Sequence, residues 1–131
     1  MSLPASDLNK KPDYRTTMEL GAVLPKTAEV KEDHLFIGGV DMVELAKREG
    51  TALYVFDEAD LRDRMQQYEH AFHNRYENSD IVFASKAFCN KEVLRIANQE
   101  GLCLDVSGGG ELACAQAVDF PMEKVVMHGN N

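Results

Sequence analysis

No run of apolar residues in the 131-residue chain is long enough to span a bilayer. Its first twenty residues, MSLPASDLNKKPDYRTTMEL, lack the apolar stretch that a secretory signal needs. Basic residues are in deficit: 14 Lys and Arg stand against 22 Asp and Glu, a formal net charge of −8. That argues against nucleic acid or an anionic membrane surface as a partner. Cysteine is scarce. Cys89, Cys103 and Cys114 include no CxxC spacing, and their odd number offers no disulfide framework and no zinc set. The expectation is a cytoplasmic protein with reduced thiols and no metal. Proline is scarce too, and three of the four lie within residues 1–30, a polar stretch without periodicity. That segment is expected to be extended or partly disordered.

What is present is ordinary globular material, 44% hydrophobic and 27% charged, enough to bury a core. HLFIGG (34–39) reads as a short strand ending in a Gly-Gly turn. Asp41 can cap a helix running through Lys47, with Gly50 as its stop. From there strands and helices alternate. ALYVF (52–56) reads as a buried strand. The following helix places Leu61, Met65, Tyr68 and Phe72 on one face, at steps of four, three and four. DIVFAS (80–85) is the next strand, and NKEVLRIANQEG a helix with Val93, Leu94 and Ala97 inward. LCLDV (102–106), GELACAQAV (110–118) and KVVMH (124–128) continue as strand, helix and strand.

Such alternation means parallel strands with crossover helices. The strands are apolar nearly throughout, as expected where both faces are covered. An open doubly wound sheet and part of a (β/α)8 barrel both fit. In either, functional groups gather at the carboxyl ends of the strands. Lys86, Asp105 and His128 fall at three such ends and would point into one region. A desolvated lysine there is an amine nucleophile able to form a Schiff base with an aldehyde. The competing reading is a lysine whose stem packs while its charge reaches water.

FASKAF (83–88) resembles the Schiff-base lysine segment of the alanine racemase-like, fold-type III enzymes that use pyridoxal phosphate. GTALYVFDEADLR (50–62), LDVSGGGEL (104–112) and VVMHGNN (125–131) are similar, in order and spacing, to segments of the diaminopimelate decarboxylase family. The resemblance covers residues from about 24 to 131. It implies an α/β fold, the N-terminal part of a pyridoxal-phosphate-binding (β/α)8 barrel with outer helices. Residues 1–30 would precede a partial barrel domain at 31–131, and the early segment would join a C-terminal β domain. A full barrel takes about 250 residues, so the chain reads as an N-terminal fragment, expected to be inactive alone. The implied reaction is decarboxylation of meso-2,6-diaminopimelate to L-lysine by a homodimer in the full-length form. Alternatives are an ornithine, arginine or carboxynorspermidine decarboxylase, an amino-acid racemase, or a partial barrel without turnover.

The resemblance also assigns roles. Lys86 matches the lysine that holds pyridoxal phosphate through a Schiff base. Asp105 matches an acidic residue facing the cofactor, or it tethers a loop or caps a helix. His128 lines the pocket floor or is a satisfied core histidine. Glu111 sits where a helix macrodipole favours a carboxylate anyway. SGGGE (107–111) could bind an anion, or could be a tight turn needing positive φ. The family's phosphate-binding glycines lie further along. Cys89 has no base near it in sequence and reads as packing.

Overall fold

The structure, a computed structural model, describes residues 23–129. Most of the segment 1–30, with its expected disorder, lies outside the described residues, as do Asn130 and Asn131. The chain divides into two compact units between Asp60 and Leu61. No helix among the described residues is long and apolar enough to cross a membrane.

The first unit is built on an antiparallel meander of β1 (Glu29–Lys31), β2 (His34–Ile37) and β3 (Val40–Asp41). Only β2 was expected. β1 and β3 are too short, at three and two residues, to show an alternating pattern. Gly38 and Gly39, at φ 58° and 77°, make the turn that joins β2 to β3. Asp41 then caps α1 (Met42–Glu49) as expected, its Oδ1 accepting from the Val43 and Glu44 amides. Gly50, at φ 85°, ends it.

The expected strand at 52–56 does not form. Residues 53–57 pair with no strand among the described residues, and Tyr54 and Phe56 are 96% and 56% exposed. Apolar composition supplies the side chains of a strand but not the neighbour that must accept its backbone hydrogen bonds. The stretch ends at Asp57, which caps α2 (Glu58–His73) by accepting from the Ala59 and Asp60 amides. Asp57 also holds the Thr27 hydroxyl, and that hydroxyl accepts from the Gly38 amide at 2.7 Å.

The second unit carries the parallel β/α pattern. β4 (Val82–Ala84), α3 (Lys91–Gln99), β5 (Cys103–Val106), α4 (Gly109–Gln116) and β6 (Val125–Met127) follow one another, with the strands in the order β4-β5-β6 and all parallel. Asn90 caps α3 through the Glu92 amide. Val93, Leu94, Ile96 and Ala97 of α3 are buried, since residues three and four apart share one helix face. Leu94, Ile96 and Ala97 meet Leu104 and Val106, from one side of β5, together with Met65, Leu102, Ala115 and Phe120. Leu94 and Leu104 are fully buried; each contributes about 1.5–3 kcal/mol.

Only one face of this sheet is covered, which corrects the expectation of burial on both. Val82 and Val126 are 45% and 54% exposed and project from the other face with Asp105. The sheet has three strands, and no further strand lies across that face among the described residues. The apolar face of α2 is likewise only half used. Met65 is buried and Leu61 packs on the core, whereas Tyr68 and Phe72 are exposed. The helical step selects a face; the neighbour decides how much of it is buried.

Candidate active site

The parallel register brings the candidate residues together at one edge. Ala84 pairs with Asp105, and Asp105 with Val126, so these three side chains stand side by side on the open face. The two neighbours are apolar and uncharged, which leaves Asp105 as the acidic group of that row. His128 follows β6 directly, its amide donating to the Val106 carbonyl at 3.0 Å. Its Nδ1 lies 2.5 Å from Asp105 Oδ1. The histidine side chain is 70% exposed and the aspartate 21%. His128 is therefore not a core histidine, and Asp105 caps no helix. The two form a carboxylate–imidazole pair at the rim.

Lys86 lies just past the carboxyl end of β4, in a single 3-10 turn, Ser85–Ala87, closed by the Phe88 amide on the Ser85 carbonyl at 3.0 Å. It is exposed, and its amine makes no hydrogen bond or ion pair with any described residue. Of the two readings of this strand-end lysine, the exposed amine agrees with the one whose charge reaches water rather than with a desolvated amine. The turn lifts Lys86 off the sheet, and the buried residue at this point is Ser85, with no exposed surface. The serine was the residue that sequence reasoning missed. A serine next to a lysine carries no periodic signal, and only its burial marks it.

Ser85 Oγ lies 2.8 Å from the Asp105 carbonyl oxygen and 3.3 Å from Glu111 Oε1. Glu111 Oε2 accepts from the Ser107 amide at 2.6 Å and from the Ser107 hydroxyl at 2.9 Å. These donors, the Ser107 amide first, hold the Glu111 carboxyl below the ordinary glutamate range. The site at the start of α4 that could take a phosphate is therefore filled by the protein's own carboxylate. The glycines there do not serve a positive-φ turn either, another correction. Gly108 is extended at φ −160°, and neither Gly109 nor Gly110 has positive φ. Cys89 packs on the core beside Cys114. Burial first, and then the neighbouring thiol, push its thiol up to about 11. It stays protonated at neutral pH, in keeping with a packing role. No cluster of His, Cys, Asp and Glu among the described residues could hold a metal ion.

Parallel strands with covering helices, and an exposed amine and a carboxylate–imidazole pair at the carboxyl edge, fit a piece of an α/β barrel. Residues 58–131 match the family model described as pyridoxal-dependent decarboxylase, pyridoxal binding domain. The chain belongs to that family. It is 44% identical over 106 residues to the diaminopimelate decarboxylase of Bacillus methanolicus, covering 80% of this chain and 24% of that protein. It is 46% identical over 98 residues to that of Bacillus subtilis (strain 168), covering 75% and 22%. Among solved structures it resembles diaminopimelate decarboxylase from M. jannaschii, with a TM-score of 0.75 and 37% identity over 82% of this chain and 26% of the other. That enzyme in complex with L-lysine gives a TM-score of 0.71 at 33% identity, again over 82% and 26%. The chain thus spans about a quarter of the length of the relatives it matches. Its sheet is the corresponding arc of a pyridoxal-phosphate-binding barrel.

Proposed function

We propose that this chain supplies the lysine-bearing arc of a diaminopimelate decarboxylase, which takes meso-2,6-diaminopimelate to L-lysine with pyridoxal phosphate. The observation that carries the reading is Lys86: an amine unengaged by any described residue at the carboxyl end of β4, at the same sheet edge as the Asp105–His128 pair. The described residues fit the aldehyde end of the cofactor, which needs a free amine. The start of α4 offers no cradle for the cofactor's phosphate, because Glu111 occupies it. Pyridoxal phosphate, when bound, supplies the electron sink that accepts the charge left as carbon dioxide departs.

The chain's own residues have defined tasks in this reading. Lys86 would hold the aldehyde end of the cofactor through its Nζ and would hold or return a proton at the carbon that lost its carboxylate. Asp105 fixes the His128 ring through Nδ1, which leaves Nε2 free to hold or pass a proton at the rim. Asp105 and His128 are thereby the cofactor-facing residues beside Lys86. The substrate is a small amino acid. Residues 1–30 lead into a barrel-type domain at 31–131, and the working protein is a homodimer in the cytoplasm.

The test is borohydride reduction after incubation with pyridoxal phosphate, followed by peptide mapping. Label is expected on the Lys86 peptide, and Lys86→Ala should lose both the label and turnover while keeping its fold, since surface changes of this kind cost within about ±0.5 kcal/mol. Label confined to another lysine would remove the basis of the reading.

A further inference from the structure

Ser85 is one of two buried polar or charged residues among those described, and it immediately precedes Lys86. A buried hydroxyl is tolerated only where it is hydrogen-bonded. This one reaches in two directions: to the Asp105 main chain, whose side chain holds His128, and to Glu111 Oε1. Glu111 does not need Ser85 to anchor its own helix. Its Oε2 already takes the Ser107 amide and hydroxyl. Oε1 is the spare oxygen, and it faces the Lys86 turn.

We propose that Ser85 and Glu111 are positioning residues for Lys86. Through them the turn after β4 is tied to the turn after β5, so that the Lys86 amine is delivered at a fixed place beside Asp105 and His128. The turn that carries Lys86 is three residues long, closed by the Phe88 amide on the Ser85 carbonyl, and Ser85 is its buried residue. The inference rests on the functional reading above and names residues that the reading does not use.

The experiment compares capture of pyridoxal phosphate at Lys86 and at Lys91, an exposed lysine five positions on, in the full protein that carries this chain. In capture the amine nitrogen bonds to the aldehyde carbon, water leaves, and borohydride then supplies the hydride that makes the bond permanent. Rates are read peptide by peptide across a range of pH. Ser85→Ala and Glu111→Ala should slow capture at Lys86, by up to about a hundredfold, the scale on which misplacing a reacting group acts, and leave Lys91 unchanged. Glu111→Gln should restore the parent rate. Its amide oxygen can still accept from Ser107, and its NH2 can donate to the Ser85 hydroxyl. Should Ser85→Ala fail to fold, the Glu111 pair decides alone. A folded Ser85→Ala or Glu111→Ala variant that captures at Lys86 at the parent rate overturns the positioning role, as does an equal fall at Lys86 and Lys91. A parent protein that does not capture at Lys86 overturns the functional reading instead.

Discussion

Gly129 has a task that its place in the HGNN segment does not disclose. Its φ is 152°, and a Cβ built on it would stand 2.8 Å from the Ser107 carbonyl oxygen, closer than real Cβ atoms come. The obstacle is backbone, which cannot step aside as a flexible side chain would. Ser107 in turn holds Glu111. Gly129→Ala is therefore expected to cost about 1–3 kcal/mol and to loosen the Ser107–Glu111 contact. Chemical denaturation measures the first, and amide exchange at Ser107 the second. Unchanged stability with Ser107 still protected would mean that the close approach is not required. Gly109→Ala is the contrast, since a Cβ there meets nothing within 4 Å and φ is not positive.

Between elements, α2 is fastened to the end of α3 by charge as well as by packing. Arg62 donates to Glu100 Oε1 at 2.6 Å and to Gln99 Oε1 at 2.6 Å, and Gln66 donates to Glu100 Oε2 at 2.7 Å. Gln66 first, and then Arg62, hold the Glu100 carboxyl below the ordinary glutamate range. A carboxyl depressed in the folded state adds stability that is fully present above its unfolded value and is lost as pH falls through the folded one. Glu100→Gln should accordingly cost up to about 1 kcal/mol near neutrality, the scale of a partly exposed ion pair. The gap from the parent should close on acidification through the acid range below the unfolded glutamate value. Melting temperatures of the two proteins against pH test this; a gap that is the same in acid and at neutrality would show that Glu100 acts by shape and not by charge.

Across the molecule, the buried apolar residues are unevenly placed. Every buried hydrophobic among the described residues, from Met65 to Phe120, belongs to the second unit, and Asp57 is the buried residue of the first. Hydrophobic burial is the main stabilising term, so the two units should differ in protection from hydrogen exchange. Amides of Leu94, Leu104 and Val106 should exchange slowly, at rates that track global unfolding. Amides of β1–β3 should exchange much faster, by local opening. Mass-spectrometric exchange resolves the two sets, and equal protection in both would contradict a stability carried by the second unit's core.

Much of this was legible from residue order alone, for local reasons. A helix cap, a stop glycine and a 3.6-residue period are short-range physics, so Asp41, Gly50, Asn90 and the inward row of α3 could be read directly. The parallel class followed from alternation, and so did the place of Lys86, Asp105 and His128 at the carboxyl edge of the sheet. Tertiary structure alone decided what depends on a partner distant in sequence. The apolar stretch 52–56 is no strand because no described strand lies alongside to pair with it. Asp105 meets His128 through a parallel register across 23 positions, and Ser85 meets Glu111 across 26. Such pairings cost chain entropy and reward it only once the whole sheet has formed. A residue's own neighbours in sequence therefore carry no trace of them.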